Sequence, residues 1–265
     1  MRIVVLVKYV PDIEVGYEFT PQNTLDRTGD GLLSQLDEHP LEEARKLAET
    51  FDDAEVVALT IGPEEADEAL RRALQMGADR GIHICDDAIA GSDAATTALI
   101  AAKAIEAIGG VDLILTGAES ADSGTGLLPV QLAARLQIPA LTGAASLALE
   151  WSGDGPGRAT IRRDEDTQAL TLAAALPALV SVTELANQPA YPSAKAVMLA
   201  RRKPVEEMDL DDLGLEASQV GSAAQRVEVL AVQPVAARSG GQALAADATE
   251  TLDTFIDLLK HNGLL

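Results

Sequence analysis

The chain has 265 residues, 47% hydrophobic but only 3% aromatic, so it can bury one generous, aliphatic, alanine-rich core with an appended piece. A formal net charge of −22 repels phosphate backbones and anionic lipid surfaces, which sets nucleic-acid binding aside. The single Cys85 excludes an internal disulfide and a cysteine-rich metal site, and the scattered His39, His83 and His261 offer no ligand cluster.

In chain order, Arg2 to Val7 reads as a buried parallel strand entered directly, without a signal or transit segment. No apolar run reaches the roughly 18 residues that span a bilayer, so the expectation is a cytoplasmic protein that is not membrane-inserted. Lys8 leaves the strand at its carboxyl end, where ligands of α/β sheets collect, and is a candidate phosphate or partner contact. Residues 16 to 31 are irregular and read as a hairpin or surface loop. Ser34-Gln-Leu-Asp-Glu-His-Pro40 opens a helix: Ser34 or Asp37 can cap it, Pro40 fits a first turn, Glu42 and Glu43 suit the dipole, and Leu41, Ala44, Leu47, Ala48 and Phe51 share one face. Glu55 to Thr60 is the next strand, and Gly62-Pro63 starts a helix whose stripe is Ala66, Ala69, Leu70, Ala73 and Leu74, ended by Gly77. Arg80 to Ile84 is a third strand, followed by an Ala-rich helix capped by Asp93 and stopped at Gly109-Gly110.

The stretch from Asp112 to Leu136 carries the chemistry. Asp112-Leu-Ile-Leu-Thr116 is a short buried strand, 117 to 126 a loop of small residues, and Leu127 to Leu136 has helical spacing. Free N–H groups at a helix start attract an anion, and small side chains let a phosphate come close. The run therefore reads as a nucleotide-phosphate loop, although Gly124-x-Gly126 is only a fragment of a dinucleotide fingerprint. Strands alternating with helices to this point imply a parallel sheet.

Beyond Leu136 the pattern changes. Ala145 to Trp151 and Arg158 to Arg163 read as a hairpin turning at 152 to 157, with Trp151 a packing residue, and Leu170 to Ala175 and Ala178 to Thr183 stay extended. From Leu185 core-like periodicity thins out, with a short helix at Ala194 to Arg202, an acidic run at Glu206 to Asp212, and a last helix from Glu250 to His261 whose apolar face is Leu252, Phe255, Ile256 and Leu259. The division expected is 1 to 190 as the nucleotide-binding domain and 191 to 265 as a recognition segment and arm lying on a partner.

Met1-Arg-Ile-Val-Val-Leu-Val-Lys8, Leu41-Glu-Glu-Ala44, Ala73-Leu-Gln-Met-Gly-Ala-Asp-Arg-Gly-Ile-His83, Gly117-Ala-Glu-Ser-Ala-Asp122, Leu176-Pro-Ala-Leu-Val180 and Asn187-Gln-Pro-Ala-Tyr-Pro-Ser193 occur in that order. Together they resemble the β subunit of electron transfer flavoprotein, over essentially the whole chain. The resemblance implies an α/β fold: a parallel-sheet adenine-nucleotide-binding domain of the α-hydrolase-like type, with a β-hairpin addition and an extended C-terminal arm. It also implies a heterodimer in which the α subunit carries the FAD while this chain holds a structural AMP and performs no substrate chemistry. Electrons would pass from acyl-CoA and other flavin dehydrogenases of fatty acid oxidation to a membrane quinone oxidoreductase.

Carried over by position, the nucleotide contacts fall on Leu6, Ser34, Gln35, Leu36, Asp37, Ile61, Gly117, Ala118, Glu119, Ser120, Ala121, Asp122, Ser123, Gly124, Thr125, Gly126, Leu127 and Leu128. Partner contacts fall on Arg163, Asp164, Leu185, Asn187, Pro189, Tyr191, Ala194 and Phe255. Departures are Thr167-Gln168 and Leu170 in place of the family's Gly pair and acid, and Ala194 where many members place a leucine or aromatic, so that the anchor is either weak or supplied by Tyr191. The basic end Arg201-Arg-Lys203 matches the family's lysine cluster. A second FAD in place of AMP, as in electron-bifurcating relatives, stays open. Two other classes also remain: a hydrolase of the same fold, for which Ser120-Ala-Asp-Ser-Gly124 lacks a full catalytic loop, and a stand-alone adenine-nucleotide sensor, which would form a monomer or homodimer.

Overall fold

The computed structural model describes residues 1–14, 16–151, 157–233, 235 and 248–265. Its centre is a seven-stranded sheet in which every pairing is parallel. The strands are β1 (Arg2–Leu6), β4 (Glu55–Ile61), β5 (Arg80–Ile84), β6 (Leu113–Gly117), β7 (Ala140–Ala144), β11 (Ala178–Val182) and β12 (Val205–Met208), in the order β12-β5-β4-β1-β6-β11-β7. Two smaller elements accompany it: an antiparallel pair β2 (Tyr9–Pro11) with β3 (Gly31–Leu33), and an antiparallel sheet of β8 (Ser146–Glu150), β9 (Arg158–Asp164) and β10 (Ala169–Ala175).

A parallel sheet must be covered on both faces. Ile3, Val5 and Val7 join one apolar cluster with α1 (Gln35–Thr50), α2 (Asp67–Met76) and the inner residues Ala159 and Ile161 of β9. Val4 and Leu6 point to the opposite cluster, covered by α3 (Ala94–Ile108), α4 (Leu128–Leu136) and a segment that contributes Leu210, Leu213, Leu215 and Val220. Leu70 and Leu74 of α2 are fully buried, each worth about 1.5 to 3 kcal/mol relative to exposure.

Helix ends follow their chemistry. The Asp93 side chain accepts from the Thr96 N–H at the start of α3, and Gly77, at φ +130°, ends α2. The Lys203 ammonium, lying just beyond α5 (Ala194–Ala200), donates to the carbonyls of Leu74 at 3.1 Å and Ala78 at 2.6 Å, closing the carboxyl end of α2. Lys203 thus points inward rather than joining a free basic cluster.

Several expectations shift. Helix α1 begins earlier than Pro40 suggested: Pro40 lies inside it, the first-turn acids are Asp37 and Glu38, and Glu42 and Glu43 are buried mid-helix, paired with Arg45 and Lys46. Gly62-Pro63 leads into a short 3-10 turn before α2 rather than starting it. Strand β7 and edge strand β12 escape sequence reasoning, because Ala140–Ala144 is too small-sided to read as a strand and Glu206 and Glu207 on β12 are exposed, as an edge permits. The hairpin of β8 and β9 is present; most of its turn lies outside the described residues.

Contacts divide the chain after Leu230, into residues Met1–Leu230 and Ala231–Leu265. Residues 191 to 230 therefore fold with the sheet, through β12, α6 (Gly221–Ala224) and the buried Leu213, Leu215 and Val220. The second unit contains α7 (Ala248–His261), which carries Leu252, Phe255, Ile256 and Leu259 on the amphipathic pattern read from the sequence.

Candidate functional site

Strand order fixes where a ligand sits. From β1 the chain proceeds to β4 and β5 on one side, then returns to β6 on the other side of β1. The carboxyl ends of β1 and β6 thus flank a topological switch point, the crevice in which open α/β sheets bind ligands. Leu6 ends β1, Ile61 ends β4 and Gly117 ends β6, so three of the expected contacts meet at this edge.

Behind the crevice lies the start of α1. Ser34 is its N-cap residue and fully buried, and its hydroxyl accepts the Ala121 N–H at 3.4 Å. Asp37, also buried, accepts the Lys8 backbone N–H at 2.8 Å and a backbone hydrogen bond from Gly117. Burial pushes the Asp37 carboxyl up to about 7 against these N–H groups and the Lys8 charge, which pull it down. Pro40 has no N–H, which leaves the Leu36 carbonyl without its helical donor. A Cβ on Gly117 would meet that carbonyl at 3.2 Å and Asp37 Oδ1 at 2.7 Å, so a glycine is what lets β6 and α1 close up here.

The loop from Ala118 to Leu127 then runs to α4. The Gly124 N–H bonds the Ser120 carbonyl at 3.0 Å, and the hydroxyls of Ser120 and Ser123 are 2.8 Å apart. Gly124 and Gly126 adopt left-handed backbone, φ +55° and +61°, and the nearest atoms to a Cβ at either lie at 3.7 Å or beyond. No side chain caps α4, which has Pro129 in its first turn. Open glycine backbone leading to an uncapped helix start suits a phosphate, and Thr125, Leu127 and Leu128 stand in that run. Asp122 faces inward: burial would raise its carboxyl, but the Lys8 ammonium at 2.9 Å and the Arg27 guanidinium hold it well below the usual carboxylate range. The same burial lowers the Lys8 ammonium while Asp122 pulls it back up.

Residues 17 and 27, which sequence reasoning left in a featureless loop, thus belong to the site. The Tyr17 hydroxyl donates to the Ala121 carbonyl at 3.0 Å, and Arg27 pairs with Asp122. Only the turn formers around Asn23 and Gly29 stand out in that segment, and they do not reveal where it folds.

The expected partner residues form no single cluster. Leu185 is exposed, as is Tyr191, at 91%, with the Arg72 guanidinium 5.5 Å over its ring. Tyr191 and Pro189 border a groove of about 550 Å³ with Gln35, Glu38, His39 and Arg72. Asn187 points inward instead, donating at 2.9 Å to both the His39 carbonyl and Glu43. Ala194 opens α5, exposed. Arg163 packs over Gly143 and pairs with Glu165 at 3.0 Å, while Asp164 accepts from Arg162 at 2.8 Å. Phe255 lies on α7, in the second unit.

Comparison with known proteins identifies the family. A family described as the electron transfer flavoprotein domain matches residues 22–213. An electron transfer flavoprotein subunit beta of Mycobacterium tuberculosis is 39% identical over 247 residues, 91% of either chain, and that of Methylophilus methylotrophus 33% over 228 residues, 84% of either chain. The caffeyl-CoA reductase–Etf complex subunit CarD of Acetobacterium woodii is 28% identical over 267 residues, covering both chains fully. The chain belongs to the electron transfer flavoprotein family, among its β subunits, and its role is in electron transfer.

Proposed function

We propose that this chain binds AMP in the crevice between β1 and β6 and, so loaded, supports an α subunit that carries the FAD. The flavin supplies the one- and two-electron chemistry of the complex; this chain's residues bind and position. The observation that carries the reading is the glycine-containing loop at the switch point, with open backbone at Gly124 and Gly126 running into an uncapped α4. Leu6 and Ile61, at the ends of adjacent strands, offer apolar surface for the adenine, and Gln35 and Leu36 lie on the first turn of α1 beside Ser34. Asp37 holds that turn to β1 and β6.

The complex would take electrons from flavin dehydrogenases, those of fatty acid oxidation among them, and pass them to a membrane quinone oxidoreductase. No described helix is long and apolar enough to cross a membrane, which suits a carrier that moves between partners. Exposed Leu185 and Tyr191, with Pro189 in the groove beside Arg72, are the surface offered to dehydrogenases, and the second unit with Phe255 is the clamp on the α subunit. Co-expression with an α subunit tests this: a stable heterodimer containing one FAD and one AMP is expected. A chain that stays alone in solution beside a folded α subunit would overturn it.

A further inference from the structure

Residues 16 to 30 lie between β2 and β3, whose register pairs Tyr9 with Leu33 and Pro11 with Gly31. The excursion between them is tied to the phosphate loop by the Arg27–Asp122 ion pair and by the Tyr17 hydroxyl on the Ala121 carbonyl. Asn23 ties it a third time, donating to the carbonyls of Val229 at 3.3 Å and Leu230 at 3.2 Å.

The charges at the first tie do not balance. Asp122 has no exposed side-chain surface, because Lys8 takes Oδ1 and Arg27 takes Oδ2. Both cations keep an outer face open, 38% exposed for Lys8 and 42% for Arg27. A buried carboxylate needs one partner for neutrality; here two cations share one. The positive charge left over lies beside the Ser120 hydroxyl, 3.5 Å from the Lys8 ammonium, at the loop that leads to α4. Of the other acids here, Asp37 feels the Lys8 charge but bonds only backbone N–H groups, and burial pushes its carboxyl toward the neutral form, while exposed Glu119 approaches Gly124 rather than either cation.

We propose that residues 16 to 30 form a strap across the phosphate end of the nucleotide site, and that Arg27, delivered by the strap, is with Lys8 the counter-charge of the nucleotide phosphate. Asp122 holds both cations in position. The inference rests on the nucleotide reading above and adds to it a ligand that comes from outside the loop.

The test uses the full chain stripped of nucleotide, titrated calorimetrically with AMP and with adenosine, which differs only in lacking the phosphate. Wild-type protein should prefer AMP, with an affinity that falls as salt rises. Arg27→Gln should weaken AMP about tenfold or more, the scale of one charge-assisted hydrogen bond, while adenosine binding stays as it was. Arg27→Lys, which keeps the charge, should recover most of the preference, and Tyr17→Phe should speed release of both ligands. Equal weakening of AMP and adenosine by Arg27→Gln, or no change in AMP, would overturn the counter-charge role. A wild-type chain that binds neither ligand would overturn the nucleotide site itself.

Discussion

Gly117→Ala is the sharpest probe of how the site is built. Its Cβ would sit 2.7 Å from Asp37 Oδ1 and 3.2 Å from the carbonyls of Leu36 and Glu119. The backbone oxygens need yield only a few tenths of an ångström, but the carboxylate must retreat by about 0.7 Å to reach ordinary contact. It has nowhere cheap to go, since it is buried and held at 2.8 Å by the Lys8 N–H. Overpacking of this kind costs about 1 to 3 kcal/mol, and a weakened hydrogen bond to a charged group adds to it, giving about 2 to 4 kcal/mol in all. For a chain of this length that is a fall in Tm of roughly 5 to 12 °C. Calorimetric or urea unfolding should show it, together with loss of AMP, because the substitution separates β6 from the first turn of α1. Gly124→Ala is the control: its Cβ meets only the Glu119 carboxylate, at 3.7 Å in ordinary contact, so only the left-handed backbone is strained, about 1 kcal/mol. Gly117→Ala within about 0.5 kcal/mol of wild type would show that β6 and α1 are not packed as described.

Three further outcomes are expected. Asp37 has a folded-state pKa raised to about 7 by burial, so the stability it confers is greatest at acid pH and is lost as pH rises toward 7. Asp37→Asn should therefore gain about 2 to 3 kcal/mol relative to wild type between pH 5 and 8, and parallel urea-midpoint curves would refute this. Gly124→Val, by placing a branched side chain over backbone that the phosphate must approach, should lower AMP content with the fold intact; mass analysis of released nucleotide checks it. A chain ending at Leu230 should fold and keep AMP yet fail to hold the α subunit in gel filtration, whereas one ending at Leu213 should be unstable, since it removes the buried Leu215 and Val220.

Much of this was legible in the sequence wherever local chemistry and burial point the same way. The stripe of α2 and its stop at Gly77, the Asp93 cap of α3 and the strand–loop–helix at 112 to 136 stand close to where periodicity and caps put them. What failed depends on distant neighbours. Strand β12 is recognisable only once β5 is beside it, because a four-residue edge with the adjacent exposed acids Glu206 and Glu207 carries no apolar signature. Pro40 misled because proline is tolerated inside α1, where its missing N–H leaves the Leu36 carbonyl for β6 to approach. Arg27 and Tyr17 were invisible for the same reason: their partners lie about a hundred residues away, at Asp122 and Ala121.

The central claim, that this β subunit holds an adenine nucleotide at the switch point between β1 and β6, is tested most directly by what the purified chain carries. The full chain, gently isolated without an α subunit and then denatured, should release close to one AMP per chain and no stoichiometric FAD on mass analysis, and the Gly124→Val chain should release far less. A folded wild-type chain that releases no nucleotide, and takes up none when AMP is supplied, would contradict the account.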